Sequence, residues 1–456
     1  MPDLPQYLEK EASRFEEELC ELLRIPSVSA DSNCRDDMHR AAGWLHERFQ
    51  ALGLASEIVK TKGHPLVYAE SPPVPGKPTV LVYGHYDVQP ADPLDEWDTA
   101  PFEPAVRDGN VYARGATDDK GQLLTHVNSV EAWLATRGPL PLQLKFLIEG
   151  EEEIGSENLE VFLRNESKRL ACDVVVISDT SQFGEGCPAI TYGLRGIAYF
   201  ELRVSGPSQD LHSGVFGGSV MNPINALTQI MSRLIDESGR IQVPGFYDDV
   251  VPLTERERAE FASLPFDEAA FCSQIGVTAL AGEAGYSTLE RRWARPTFDL
   301  HGIWGGYQGE GGKTVLPCRA GAKFSFRLVP QQDPHRIAAA LRPFLESLCP
   351  PGIRMELIEM HGAPGALVSL ESPFMSAAAT AVERGFGQRP VFIREGGSIP
   401  IVTRFKEVLG VDTLLLGWGL EDDHAHGPNE KFSLADFHCG IRSSAALWEE
   451  LSKIAP

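Results

Sequence analysis

The sequence predicts an α/β fold, a mixed sheet flanked by helices, that is interrupted by a separable α+β domain. Of its 456 residues, 43% are hydrophobic and 23% are charged, the composition of a chain that buries a core. Short β-branched segments alternate with helical patterns at the start and again at the end. The pattern between residues 194 and 370 differs from both flanks. At roughly 100 to 200 residues per domain, this length suits two or three domains.

The first part of the chain carries two amphipathic helices followed by strands that alternate with helical segments. Apolar spacing predicts helices over residues 6–23 and 36–54, and the first ends at Arg24-Ile25-Pro26. A further helix is predicted over residues 121–136. The β-branched runs that predict strands are residues 55–59, 66–70, 79–83, 143–149 and 173–178. Strands that alternate with helices imply a sheet with helices on both faces.

Residues 194–370 are predicted to form an inserted domain, so that residues 1–193 and 371–456 together form the other one. Its predicted strands are residues 196–204, 321–329 and 353–360, and its predicted helices are residues 223–235 and 333–347. This order is that of an α+β unit of ordinary domain size. The α/β pattern then returns, with an apolar strand at 411–417.

Charge and composition exclude several classes of protein. With 41 basic and 64 acidic residues, the formal charge of −23 repels phosphate backbones, so nucleic acid is not an expected partner. The N-terminus has no basic stretch followed by an apolar run, and no window approaches the ~20 apolar residues of a membrane span. We therefore expect a cytoplasmic protein without a membrane partner. The 8 cysteines form no CxxC pair or short-range cluster, which predicts free thiols.

Acidic and histidine side chains are concentrated in short segments, four of which directly follow or closely flank predicted strands. In open α/β sheets, ligands bind beyond the carboxyl ends of the strands. Each segment alone also has an ordinary explanation as a helix cap, a turn or a solvated acidic helix start. The segments are GHYDVQP (84–90), RGATDDKG (114–121), EGEEEIGS (149–156), VVVISDTS (174–181) and EDDHAHGPNEKF (421–432).

Together these segments offer imidazoles and carboxylates without thiolates, a donor set that suits zinc, manganese or cobalt. Either Asp118 or Asp119 could cap the helix that follows, and an aspartate could also bridge two cations that lie ~3.5 to 4 Å apart. His424 and His426 are two residues apart, so at most one of them is expected to face a given site. The pattern itself does not decide between these histidines.

The motifs GHYDVQP, RGATDDKG, GEEEIGS, DLHSGVFGG, REGGSIP and HGPNEK occur in order along essentially the whole chain. This series resembles the dinuclear-zinc hydrolases that include carboxypeptidase G, aminoacylase, succinyl-diaminopimelate desuccinylase and cytosolic non-specific dipeptidase with carnosinase. It is most similar to the dipeptidase branch. The resemblance implies a zinc-peptidase-like catalytic domain and an inserted lid and dimerisation domain.

The resemblance also implies a set of metal ligands. His85 and Asp179 are expected to hold one metal, Glu153 and His426 the other, and Asp118 to bridge them. It thereby selects His426 over His424. Two divalent ions per subunit are expected, with zinc first and manganese or cobalt as alternatives.

Further roles in the catalytic domain follow from the same resemblance. Asp87 is expected to orient His85, and Glu152 to be the general base. The peptide bond between Asp118 and Asp119 is expected to be cis. Because an additional Glu151 precedes the matched pair, the assignment counts backwards from the Ile-Gly-Ser that follows the three glutamates.

The inserted domain is expected to supply substrate-binding residues. His212 of one subunit would reach the active site of its partner in a homodimer and polarise the scissile carbonyl. Arg327 would hold the substrate carboxylate, for which a guanidinium is suited. Thr314 matches the family in the same domain. In the segment REGGSIP, Ser398 would bind the terminal carboxylate, and Glu395 is its expected neighbour.

The function that the resemblance implies is hydrolysis of the peptide bond of dipeptides, by a water that bridges the two metals. The substrate would be a small peptide, because a carboxylate clamp one residue beyond the scissile bond leaves room only for a short one. An alternative is an N-acyl amino acid deacylase or desuccinylase on the same scaffold. A non-catalytic binding protein would be expected to lack a ligand or the base, and neither is missing here.

Overall fold

The computed structural model describes residues 3–397 and 399–455. It places α1 at Leu4–Leu23, α2 at Arg35–Ala51, β1 at Ala55–Val59, β2 at Leu66–Glu70, β3 at Thr79–His85, β4 at Ala105–Arg107, β5 at Asn110–Tyr112, α3 at Lys120–Arg137, β6 at Gln143–Glu149, α4 at Glu157–Asn165, β7 at Val174–Ile177 and β8 at Ala189–Leu194.

The middle of the chain holds β9 at Gly196–Ser205, β10 at Leu211–His212, α5 at Ser213–Phe216, α6 at Pro223–Met231, α7 at Glu255–Ser263, α8 at Glu268–Gln274, α9 at Thr288–Trp293, β11 at Thr297–Gly305, β12 at Val315–Leu316, β13 at Arg319–Leu328, α10 at Pro334–Leu348, β14 at Arg354–Ala363 and β15 at Ala366–Leu367. The last segment holds α11 at Pro373–Phe386, β16 at Val391–Glu395, α12 at Pro400–Leu409, β17 at Thr413–Leu416, β18 at Lys431–Ser433 and α13 at Leu434–Leu451.

The chain divides into two compact units, which are described separately. The first unit comprises Met1–Tyr192, Val368–Ile393 and Arg404–Pro456, and the second comprises Gly193–Leu367 and Arg394–Thr403. Among the described residues, no helix combines the length and the apolar character needed to cross a bilayer.

A mixed sheet forms the centre of the first unit. Its strands follow the order β1-β2-β6-β3-β7-β17-β8. β3 pairs in parallel with β6 and β7, and β7 pairs in parallel with β17, whereas the outer pairs are antiparallel. The four parallel strands are buried along nearly their whole length, as expected for strands covered on both faces. Their carboxyl ends therefore meet at one edge of the sheet.

The second unit is built on a four-stranded antiparallel sheet of order β11-β13-β9-β14. α6 contacts β13 and β9, and α10 contacts β9 and β14. Alternate side chains of the two central strands enter a core that is rich in phenylalanine, as a sheet with one buried face requires. Phe200, Phe324 and Phe326 stack or meet edge to face in this core.

The α/β fold class with a mixed, helix-flanked sheet is confirmed, and the differences from the sequence prediction are local. α2 ends at Ala51 instead of residue 54, because β1 already begins at Ala55. α6 ends at Met231 instead of residue 235. The edge strand β11 was not predicted, since most of its side chains are exposed and the alternation of apolar residues is lost.

His126 gives the first unit a pH-dependent contribution to stability that we expect to be measurable. Its ring is buried in α3, with Nε2 2.8 Å from Ser178 Oγ and Nδ1 3.0 Å from Ser444 Oγ. Burial lowers the pKa of His126 to about 3. The unfolded imidazole has a pKa of about 6.5, so below that pH the unfolded chain binds a proton that the folded chain excludes. The contribution is therefore complete above pH 6.5 and is lost as the pH falls.

We expect this loss to reach about 2 kcal/mol at pH 5. Denaturant unfolding at pH 7 and pH 5 measures it in the wild type and in His126→Gln. All other groups titrate in both the wild type and His126→Gln, so the difference between the two pH dependences is due to His126. The decrease in the free energy of unfolding between the two pH values should be about 2 kcal/mol smaller in the variant. An identical pH dependence in the two chains would contradict the assignment.

Candidate metal centre and substrate-binding residues

His85, Asp118 and Asp179 bring one ring nitrogen and two carboxylates together at the carboxyl edge of the sheet. His85 is the last residue of β3, Asp179 follows β7, and Asp118 lies two residues before α3. The Nε2 atom of His85 is 3.1 Å from Asp118 Oδ1 and 3.9 Å from Asp179 Oδ2. One potential ligand atom from each residue lies within 4.8 Å of the others, so the group could hold a metal ion.

A second group of the same kind consists of Asp118, Glu153 and His426. The Nε2 atom of His426 is 2.8 Å from Asp118 Oδ2 and 3.4 Å from Glu153 Oε2. Asp118 thus directs Oδ1 at the first group and Oδ2 at the second, which is the arrangement of a bridging carboxylate. The side chain of His426 is 56% exposed, so this group is open to solvent.

Asp87 connects the ends of β3 and β6. Nδ1 of His85 lies 3.0 Å from the Asp87 backbone oxygen and 3.4 Å from its Oδ1. The Asp87 carboxylate also accepts the backbone N–H groups of Glu152 and Glu153, at 3.3 Å and 3.1 Å. A hydrogen bond from Nδ1–H leaves the lone pair on Nε2 of His85, which is the tautomer that a metal ligand needs.

The three consecutive glutamates that follow β6 have different surroundings. Glu151 accepts hydrogen bonds from the His64 backbone N–H at 2.8 Å and from Asn158 Nδ2 at 2.8 Å and 3.1 Å, so its carboxylate is occupied. Glu153 belongs to the second ligand group. Burial raises the pKa of Glu152, His85 opposes this shift, and the negative charge of Asp118 adds to it. A raised pKa suits a group that must accept a proton near neutral pH.

The electrostatics of the two groups fit divalent cations. Burial lowers the pKa of His85, but the nearby carboxylates of Asp118 and Asp87 outweigh this effect and raise it well above the ordinary value. The contact with Asp118 likewise raises the pKa of His426 to about 9, and burial raises the pKa of Glu153 to about 8. These raised pKa values show that the carboxylates create a negative potential, which favours bound protons and would equally favour a bound cation. Nε2 of His85 is buried and makes no hydrogen bond of normal geometry within the described residues, as expected for an atom that faces a cation.

Three further residues, for which no ligand role was assigned from the sequence, support the cluster. Gln89 Nε2 donates to Glu153 Oε2 at 2.7 Å. Asp119 Oδ2 accepts the His85 backbone N–H at 3.2 Å, and the expected cis peptide bond before Asp119 is confirmed. Glu430 accepts the Asp118 backbone N–H at 3.1 Å. Glu430 lies in the motif HGPNEK, so its position was visible in the sequence although its hydrogen bonds were not.

In the second unit, His212 and Thr314 lie side by side. β10 and β12 pair so that His212 is opposite Val315, and the Ser213 backbone N–H donates to the Thr314 carbonyl at 3.0 Å. Nδ1 of His212 accepts the Gly214 backbone N–H at 3.0 Å. A neutral imidazole that accepts at Nδ1 carries its proton on Nε2, so exposed His212 offers a donor there.

Arg327 and Glu395 belong to the same unit. Arg327 is on β13, opposite Ile197 of β9, and is half-buried; burial lowers the pKa of its guanidinium and Asp299 opposes that shift. Glu395 ends β16, and its backbone oxygen accepts the Arg195 N–H at 3.2 Å. The expected carboxylate-binding Ser398 lies outside the described residues.

Comparisons with known proteins place this geometry in context. The profile described as peptidase family M20/M25/M40 matches residues 81–450. The Cys-Gly metallodipeptidase dug1 of Schizosaccharomyces pombe is 36% identical over 469 residues, which cover 99% of this chain and 98% of that protein. The Beta-Ala-His dipeptidase of Homo sapiens is 34% identical over 467 residues, which cover 98% of this chain and 92% of that protein.

A solved structure matches at a similar level. The M20 family metallo-carboxypeptidase Sso-CP2 from Sulfolobus solfataricus superposes with a TM-score of 0.86 at 34% identity, covering 96% of this chain and 99% of that one. These matches confirm the resemblance that the ordered motifs indicated.

Proposed function

Because this chain belongs to the peptidase family M20/M25/M40, we propose that it is a metallodipeptidase whose two ligand groups hold one divalent ion each. It is a metal-binding peptidase, and the two relatives described above, which match nearly its full length, are named Cys-Gly metallodipeptidase and Beta-Ala-His dipeptidase. The single observation that carries the two-ion proposal is the position of Asp118, which directs a different oxygen at each ligand group.

In this proposal, His85, Asp118 and Asp179 hold one ion, and Asp118, Glu153 and His426 hold the other. Two divalent ions at these positions supply Lewis acidity and lower the pKa of a nearby water. Zinc is the first choice, because nitrogen and carboxylate oxygen ligands suit it. Manganese and cobalt accept the same donor set.

Glu152 is the proposed general base, and its carboxylate takes the proton of the attacking water and passes it to the leaving amine. The neighbouring Asp87 accepts the backbone N–H of Glu152 and so anchors the backbone that carries this carboxylate. The sequence count backwards from Ile154 gives the same residue, and the hydrogen bonds of Glu151 support that assignment.

The second unit supplies the proposed substrate contacts. His212 would donate its Nε2 proton to the scissile carbonyl oxygen, acting on the partner subunit in a homodimer. Arg327 would bind the substrate carboxylate as an ion pair. Thr314, Glu395 and Ser398 complete the set. The homodimer, the contribution in trans and a cytoplasmic location are supported by the resemblance to the cytosolic dipeptidases.

A substrate panel tests the function. Metal-loaded enzyme is incubated with dipeptides, the same dipeptides as C-terminal amides, tripeptides and N-acyl amino acids, and product release is followed by chromatography. We expect free dipeptides to be cleaved and their amides to show a KM raised by tenfold or more, since a charge-assisted hydrogen bond contributes roughly 1.5 to 3 kcal/mol.

The other outcomes of the panel distinguish the competing functions. Release of acyl groups with dipeptides untouched would identify the deacylase alternative. Preferred removal of the last residue of tripeptides would indicate a carboxypeptidase, the activity named for the Sulfolobus solfataricus structure. Equal cleavage of dipeptides and their amides would contradict the carboxylate clamp.

A further inference from the structure

Glu430 is a fully buried carboxylate with four hydrogen-bond donors around it. Its Oε1 accepts the backbone N–H groups of Thr117 and Asp118, at 2.9 Å and 3.1 Å. Its Oε2 accepts the backbone N–H of Gly115 and the guanidinium of Arg114, both at 2.8 Å. A carboxylate has about four acceptor positions, so no lone pair of Glu430 is left for a metal. Its role is therefore to hold the backbone of the segment 114–118.

A second carboxylate of the same loop reinforces this contact. Asp423 Oδ2 accepts the Thr117 hydroxyl at 3.0 Å and the Leu420 backbone N–H at 2.8 Å. β18, which begins directly after Glu430, pairs with β5 and so joins the two segments. The segments that carry Asp118 and His426 are thus held to each other by side chains and backbone.

The loop between Asp423 and Glu430 is also fixed at its centre. His426 and Asn429 have φ angles of +64° and +58°, a left-handed conformation that is uncommon for non-glycine residues but is adopted more often by Asn and His than by most others. Asn429 is held from both ends of its amide: Oδ1 accepts the Asp98 N–H at 2.8 Å, and Nδ2 donates to the Glu96 oxygen at 2.9 Å. Asn429 and Glu430 thus anchor the chain three and four residues after His426.

We propose that Glu430 is a positioning residue that sets the distance between Asp118 and His426, and that it acts chiefly on the second metal group. That group takes two of its three side chains, Asp118 and His426, from the two segments that Glu430 joins. The first group takes only Asp118 from them, and His85 and Asp179 are held by β3 and β7. Removal of Glu430 should therefore weaken the second group much more than the first.

Because this role rests on the proposed two-metal function, the test measures metal binding instead of turnover. Metal-free protein is titrated with Co²⁺, and heat and the visible d–d absorption are recorded. The wild type should bind two ions in two steps. In Glu430→Gln, the amide NH₂ faces N–H donors that need an acceptor, which disturbs the segment 114–118. The affinity of the second group for Co²⁺ should therefore fall 10-fold to 100-fold. The affinity of the first group for Co²⁺ should change by less than about threefold.

Glu283→Gln is the matched control. Glu283 is also a buried carboxylate paired with an arginine: its two oxygens accept from Arg295 at 2.6 Å and 2.8 Å, in the other unit. This variant loses the same charge from a buried ion pair. Its melting temperature, measured in the metal-free protein, should therefore be lower than that of the wild type. Both metal-binding steps should remain as in the wild type. A purely structural role of Glu430 would give the same result as this control.

The outcomes separate the two levels of the proposal. A wild type that binds fewer than two ions overturns the proposed function. A wild type that binds two, with Glu430→Gln unchanged or equally weakened at both steps, overturns only the role of Glu430. If Glu430→Gln does not fold, Glu430→Asp decides: its shorter side chain cannot reach all four donors, so the same selective loss is expected, and wild-type binding would contradict it.

Discussion

Replacing Glu152 by Gln should lower kcat for dipeptide hydrolysis by about 10²-fold to 10⁴-fold while both metal ions stay bound. The amide keeps the size of the side chain but cannot accept the proton of the attacking water. KM should change little, because Glu152 is not placed in either ligand group. Steady-state kinetics together with metal analysis of the same sample measures both properties.

The neighbouring glutamates provide the controls for this prediction. Glu151→Gln should lower the melting temperature, since Glu151 accepts from His64 and Asn158, and should leave kcat within a fewfold. Glu153→Gln should lose metal from the second group together with activity. Thus each of the three variants has its own signature: stability, turnover or metal content. Full turnover in Glu152→Gln, or its loss in Glu151→Gln with metal retained, would show that the base is a different residue.

The second large effect is expected for His426. In His426→Ala the second group loses one of its three side chains, so the enzyme should retain one ion per subunit and lose kcat by about 10³-fold, the scale of removing several kcal/mol of charge stabilisation. Plasma emission spectrometry after dialysis gives the metal content. Added zinc should restore part of the activity, because the other ligands remain.

His424→Ala is the matched control, since both histidines lie in one exposed loop and both have a positive φ, +56° and +64°. The two alanine variants therefore carry the same backbone penalty. Only His426 directs its ring at Asp118 and Glu153. His424→Ala should retain two ions and activity within about twofold. If the two variants behave alike, the loop and not the ligand accounts for the loss.

The sequence could place His85 and Asp179, two of the proposed metal ligands, at one edge of the sheet because both follow parallel strands. His85 and Asp179 come at or just after buried β-branched runs, and the carboxyl ends of parallel strands share one edge of the sheet. The choice of His426 over His424 needed the family resemblance, since two residues of spacing leave either ring able to face the site. In the structure, the ring of His426 lies against Asp118 and Glu153, whereas the similar φ angles of the two histidines do not distinguish them.

The supporting residues could not be predicted in the same way. Glu430 and Asp423 bind mainly backbone N–H groups and a hydroxyl, and backbone donors leave no signature in the sequence. The strand β11 was missed for a related reason: its exposed edge position removes the alternation that marks a strand. Sequence patterns report apolar burial and ligand chemistry, whereas hydrogen bonds to the backbone appear only in three dimensions.

The residues of the second unit stay predictions of function. His212 ends β10 and Thr314 lies directly before the paired strand β12, and the Nε2 proton of His212 is available to a substrate oxygen. These features are compatible with the proposed carbonyl contact. Activity measured on mixed dimers of His212→Ala and Glu152→Gln subunits would test whether His212 acts in trans.

The most direct test of the proposed two-metal site is anomalous diffraction from crystals grown with zinc, with data collected on both sides of the zinc absorption edge. The two ligand groups predict two peaks per chain, roughly 3.5 to 4 Å apart, on the two sides of the Asp118 carboxylate. One peak should lie beside His85 and Asp179, and the other beside Glu153 and His426. A single peak, or peaks that do not contact Asp118, would contradict the bridged site.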